Sequence, residues 1–242
     1  MKPAKWGAVF VCLAALGIAI RLLLGPKPQL NAEHVREIAT RTLGEYLAQS
    51  RPGSRVLVFS NPFARDTNAE PAIVKMEDAG IRGLETGWKG KLTAGAIALP
   101  ELKPGVRENP QAFIADPETT TPLSYLVAPD AFDQQAKSHG GCELVVSLIG
   151  LPAELDRCEI WTRPGPPAFA LLLPDLGVVG GIDAVRQAVK SGKLLAFILR
   201  RPGAPSDSES IGSDAVAEFQ KRFVLVTQDN FEDVLKSNPE LR

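Results

Sequence analysis

The chain has 242 residues, 45% hydrophobic and 23% charged, a balance that supports a sizeable core and excludes general disorder. Its net charge of −1 hides an asymmetry: residues 1–27 hold Lys2, Lys5, Arg21 and Lys27 and no acid, which leaves 23 basic against 28 acidic side chains, a net of −5, in residues 28–242. A mildly acidic domain lacks the basic footprint of a nucleic-acid binder, so no nucleic-acid partner is expected.

Lys2 and Lys5 precede an apolar run over residues 6–24, interrupted by Arg21 and ended by Gly25-Pro26. Its 19 residues are enough to cross a bilayer core of about 30 Å, with Arg21 snorkelling to the far interface. No small-x-small cleavage site follows, which favours an uncleaved signal-anchor over a cleaved signal peptide. The basic start places the amino terminus in the cytoplasm and the following domain in the periplasm or cell exterior, on a single-pass inner or plasma membrane anchor. Residues 1–27 are therefore read as anchor and tether, and residues 28–242 as one domain.

Within that domain Asn31 caps an expected helix to about Gln49, whose Val35, Ile38, Leu43 and Leu47 share a face. A strand follows over 55–60 and a helix over 70–79, closed by Gly80, with a second extended piece over 81–84. Residues 91–99 make a weaker strand, because Gly95 and several alanines supply little β preference. Five prolines make 100–122 irregular, with a short strand at 112–114, and a connection of that length inside a domain is either functional or mobile. Residues 123–137 read as a helix broken near Pro129. The strand over 142–149 is bounded by Gly140-Gly141 and Gly150-Leu151-Pro152. It is a nearly continuous apolar run, the mark of a strand buried on both faces. A short helix over 152–156, a strand over 168–173, a helix opened by Gly180-Gly181 and a strand over 194–199 follow. Past a polar loop come a helix over 215–221, a strand over 222–227 and a helix over 230–236. The alternation predicts a three-layer, Rossmann-like α/β domain with a mostly parallel sheet, preceded by one N-terminal hydrophobic helix.

The stretch 143–152, followed by 169–173, 181–189 and 194–198, resembles the α/β lobe of type I periplasmic sugar-binding proteins, and residues 222–231 are similar in rhythm to C-terminal segments of that group. The resemblance implies an α/β lobe of this kind and, with it, binding of a small ligand.

Catalytic and cofactor signatures are missing. There is no GxxxxGK[ST] loop, no GxGxxG after a strand and no GxSxG elbow, so no cofactor is expected. His34 and His139 lie far apart and no Cys-x-x-Cys occurs, so no metal site is expected either. Cys142 and Cys158 form a candidate disulfide if the domain is exported. Ligands of open parallel sheets gather at the carboxyl ends of the strands. That rule selects Ser60, Asn61, Gly150, Asp175, Asp229 and Asn230, with residues 100–122 long enough to cover them. The expected partner is a small polar or anionic ligand. The resulting reading is a membrane-tethered, non-catalytic ligand-binding or sensing module. Two others stay open: an envelope scaffold that docks a protein through 100–122, and a hydrolase with Asp175 or Asp229 as base beside Ser60.

Overall fold

The computed structural model describes residues 28–238; the expected anchor over 6–24 lies outside them. Among the described residues no helix is long and apolar enough to cross a membrane. Helices α1 (Pro28–Ser50) and α2 (Pro71–Trp88) flank strand β1 (Arg55–Phe59) in the chain, and β2 (Thr93–Ala98) follows α2. The short helices α3 (Leu123–Leu126) and α4 (Ala131–Ser138) lead to β3 (Leu144–Ser147). Then come α5 (Glu159–Thr162), β4 (Ala168–Leu172), α6 (Ile182–Lys190), β5 (Leu194–Arg200), α7 (Ala215–Arg222), β6 (Phe223–Thr227) and α8 (Phe231–Ser237).

The six strands form one sheet in the order β2-β1-β3-β4-β5-β6. The first five are parallel and β6 runs antiparallel to β5. Alternate residues of each strand feed two cores. Val56, Val58, Leu144, Val146, Ala170 and Ile198 pack under α1, α2 and α7. Leu57, Phe59, Val145, Phe169, Leu171 and Phe197 pack against α4, α5, α6 and α8. Burial on both faces is why the strands show no clean polar alternation.

The expected extended piece at 81–84 is instead the middle of α2. Gly80 does not stop that helix; it faces the Arg36 side chain of α1, and one and two turns on, at Gly83 and Gly87, α1 and α2 touch backbone to backbone. A Cβ on Gly83 would lie 2.4 Å from the Glu37 carbonyl oxygen, and one on Gly87 2.3 Å from that of Arg41. The helix runs on for more than two turns past Gly80 and ends at Trp88, where Lys89 takes a left-handed conformation with φ of 41°. The expected strand at 112–114 is also absent: Pro110–Phe113 is a single 3₁₀ turn with proline in its first turn. The expected helix at 152–156 contracts to a 3₁₀ turn at Leu155–Arg157, and α5 follows it. The buried Asp133 of α4 caps α5 from outside, accepting from the N–H groups of Glu159 at 2.8 Å and Ile160 at 2.7 Å.

Cys142 and Cys158 are both free, so the candidate disulfide is not formed. Cys142 sits half-buried at the amino end of β3, whereas Cys158 is sealed in the core at the start of α5, where burial pushes its thiol up to about 12. A group of that pKa is a thiol at any physiological pH, poorly suited to attack or oxidation.

Candidate functional site

Parallel β1, β3, β4 and β5 deliver their carboxyl ends to one edge, which gathers Ser60, Asn61, Gly150 and Asp175. Asp229 and Asn230 do not join them. Because β6 is antiparallel, Phe223 lies opposite Arg200 and Thr227 opposite Ala196, which puts 229 and 230 at the other edge. Asn230 is also occupied locally: its Oδ1 accepts from the Thr227 N–H at 2.8 Å and its Nδ2 donates to the Leu225 carbonyl at 2.9 Å.

At the β1 end the polar groups serve the fold. Ser60 Oγ donates to Glu77 at 2.8 Å, and the Asn61 side chain accepts from the Phe63 N–H at 2.9 Å to cap a 3₁₀ turn at Pro62–Arg65. Glu77 in turn receives the Arg36 guanidinium at 2.5 Å. The paired Ser60 and Asp175 of the hydrolase reading are kept apart, because β3 lies between β1 and β4, about 10 Å from strand to strand. Asp229 is farther still, at the opposite edge.

At the β3 and β4 ends the Pro-rich connection returns over the sheet. Its root is tied by the Lys103 N–H to the Leu126 carbonyl at 2.8 Å and by a bridge between Leu102 and Val127. Its far end lies on the edge: Thr119 Oγ1 donates to Asp175 Oδ2 at 2.7 Å, and Ser124 donates to Thr121 at 3.0 Å. Gly150, at φ of 79°, lies directly beneath Thr121 and Ser124, and a Cβ there would come within 2.9 Å of Ser124 Oγ. The Thr119-Thr120-Thr121 run is thus a wall of this edge.

Between the carboxyl ends of β4 and β5 the edge opens into a cavity of about 530 Å³. Leu173, Leu176, Ile182 and Leu199 supply apolar walls, and Thr120, Asp175 and Arg200 supply polar groups. Asp175 Oδ1 is fixed by the Gly177 N–H at 2.9 Å, while Arg200 is turned toward Asp207 at 2.5 Å. Helix α6 starts against the same cavity at Gly181, which has a φ of 83° and offers no capping side chain. Leu173 has a φ of 47°, rare for a residue with a branched side chain, and strain of this kind concentrates at binding clefts. Burial raises the Tyr125 phenol, and the nearby Asp116 and Asp175 carboxylates push it in the same direction.

Leu173, Leu176, Ile182 and Leu199 carry no sequence signal for a site, since apolar residues ending a strand or opening a helix read as core. The glycine pair at 180–181 was the visible marker, a turn that aims a helix start at the edge. A second cavity of about 430 Å³ lies at the opposite edge, lined by Arg51, Glu143 and Lys193 among others. The Lys193 ammonium is tied there to the carbonyls of Ile160, Gly165 and Pro167 at 3.1, 2.7 and 3.2 Å. Burial, with Arg163 nearby, lowers its pKa.

No protein-family model and no curated protein matches the chain. Among solved structures it is similar to AraP, an arabinose binding protein from Geobacillus stearothermophilus, at 9% identity and a TM-score of 0.44, over 82% of this chain and 62% of that one. It is also similar to a protein from Mycobacterium smegmatis, at 11% identity and a TM-score of 0.42, over 87% of this chain and 64% of that one. Both are distant resemblances of fold, and this chain spans less than two thirds of either neighbour's length.

Proposed function

We propose that the chain is a membrane-tethered, extracytoplasmic module that binds a small hydroxyl-rich ligand in the cleft between β4 and β5 and does no chemistry on it. The observation that supports this reading is the cavity of about 530 Å³ with one fixed carboxylate, a helix start and four aliphatic walls. An ionised carboxylate only accepts hydrogen bonds, so Asp175 favours ligand hydroxyls and disfavours anions. The α6 N–H groups of residues 182 and 183 donate to the lone pairs of the same hydroxyls, and the leucine and isoleucine walls take the C–H face of a ring. This arrangement narrows the polar or anionic ligand expected from sequence to a neutral, hydroxyl-bearing one.

The test is a panel of neutral pentoses and hexoses added to isotope-labelled protein. Binding is expected to move the amide resonances of Gly177, Gly181 and Leu199, and Asp175→Ala is expected to abolish those shifts while leaving the remaining spectrum in place. Shifts that survive in Asp175→Ala, or that map elsewhere, overturn the reading.

The tether rests on the apolar run over 6–24 and its basic flank. Full-length protein is expected to sediment with membranes and to stay there through a high-salt wash, because a hydrophobic span is insensitive to charge screening. Release at full mass by salt alone removes the tether from the proposal.

A further inference from the structure

We propose that the open edge of β2 pairs with β2 of a second copy, antiparallel about a two-fold axis, to make one continuous sheet across a dimer. Among the described residues β2 stands first in the strand order, so its outer N–H and C=O groups have no strand partner there. Such an edge is a ready template for another strand, and proteins that avoid pairing place charges or proline in it. Thr93-Ala94-Gly95-Ala96-Ile97-Ala98 has neither. Apart from Ile97 its side chains are small and offer little bulk to an approaching backbone.

The side chains around that edge are self-complementary, which a two-fold interface demands because the same patch must be both knob and hole. The knob is Ile97, 46% exposed and one of two large hydrophobics exposed among the described residues. The hole is a mostly apolar cavity of about 200 Å³ that Ile97 itself borders, lined also by Ile81, Leu84, Glu85, Trp88 and Gly95 among others. Antiparallel pairing centred on Ala96 sets Ile97 opposite Gly95 of the second copy, where no side chain stands between it and that cavity. The same register sets Lys91 opposite Glu101, since each lies five positions from Ala96, and the two-fold axis repeats the pair. Both residues are exposed, and neither has a salt bridge among the described residues. A bulge at Gly95, between the pairings of Val56 and Leu57, shortens the regular ladder. The isoleucine contacts and the end charges therefore carry more of this interface than main-chain bonds do, and they also specify its register.

Directly opposed residues of an antiparallel pair have Cα atoms about 4.5–5.5 Å apart, within reach of a disulfide. Full-length Ala96→Cys, made with Cys12→Ser and Cys142→Ser, is expected to give a covalent dimer on mild oxidation. Arg82→Cys in the same background, on the exposed side of α2, is expected to stay monomeric. Sedimentation equilibrium supplies a second measurement. Ile97→Asp is expected to weaken the dimer by about tenfold or more. Lys91→Glu is expected to weaken it by less, and Lys91→Glu combined with Glu101→Lys to restore it. A monomer with Ala96→Cys uncoupled, a dimer indifferent to Ile97→Asp, or a charge reversal that is not restored overturns the proposal.

Discussion

Replacing Gly83 by alanine is expected to destabilise the domain by about 3 kcal/mol, and replacing it by leucine to leave no folded protein. In an exposed helix interior the same change to alanine stabilises by about 1 kcal/mol, so even the sign is diagnostic. The reason is the α1–α2 contact. A Cβ on Gly83 would stand 2.0 Å from Thr40 Oγ1, 2.4 Å from the Glu37 carbonyl oxygen and 3.0 Å from the Arg41 amide nitrogen. Two of these neighbours are main chain and cannot rotate away, so the helices must separate. Thr40, buried and bonded to the Arg36 carbonyl at 3.0 Å, would lose its place as well. Thr86→Ala, on the exposed side of the same helix, is expected to change stability by less than about 0.5 kcal/mol. Urea unfolding curves decide it. A Gly83→Ala midpoint equal to or above that of the parent protein would show that the helix pair has room the structure denies.

The second large effect is expected at Glu77. Glu77→Gln keeps the size of the side chain, yet should cost about 3–5 kcal/mol, because it leaves the Arg36 guanidinium enclosed without its counter-charge. Glu77 accepts from Arg36 at 2.5 Å, from Ser60 Oγ at 2.8 Å and from the Asn61 N–H at 3.3 Å. Arg36 also reaches the Leu148 carbonyl at 3.3 Å. One carboxylate thus joins α1, α2 and the ends of β1 and β3, at the point where the chain reverses its direction across the sheet. Arg36 has its Nε buried without a partner, so the pair is incompletely satisfied even in the native protein. Replacing both residues by methionine is therefore expected to cost much less than either single change. A double-mutant cycle measured by denaturant midpoint at unchanged slope reads the coupling. Additive single effects would mean that the pair is not a unit.

These two expectations concern residues in which the sequence reading saw no role. Gly80 was read as a helix stop, and nothing local distinguishes a glycine that ends a helix from one that lets another helix approach. That distinction exists only when α1 lies across α2. Glu77 and Arg36 are similar. Each looks like a solvated charge on an amphipathic helix, and only the packing of both helices on the β1–β3 boundary encloses them.

The linear chain determined the α/β class, the strands at 55–60, 142–149, 168–173, 194–199 and 222–227, and the edge where Asp175 stands. It did so because doubly buried strands need unbroken apolar runs, and because parallel strands send their carboxyl ends one way. Tertiary structure alone decided the rest. It turned β6 antiparallel, which carried Asp229 and Asn230 away from the edge that holds Asp175. It left Cys142 and Cys158 unbridged, spent Ser60 on Glu77, and brought Thr119 to Asp175. An apolar strand reads the same in either direction, and a hydroxyl or thiol reads the same whatever it meets, so direction and partner emerge only when elements distant in the chain close against each other.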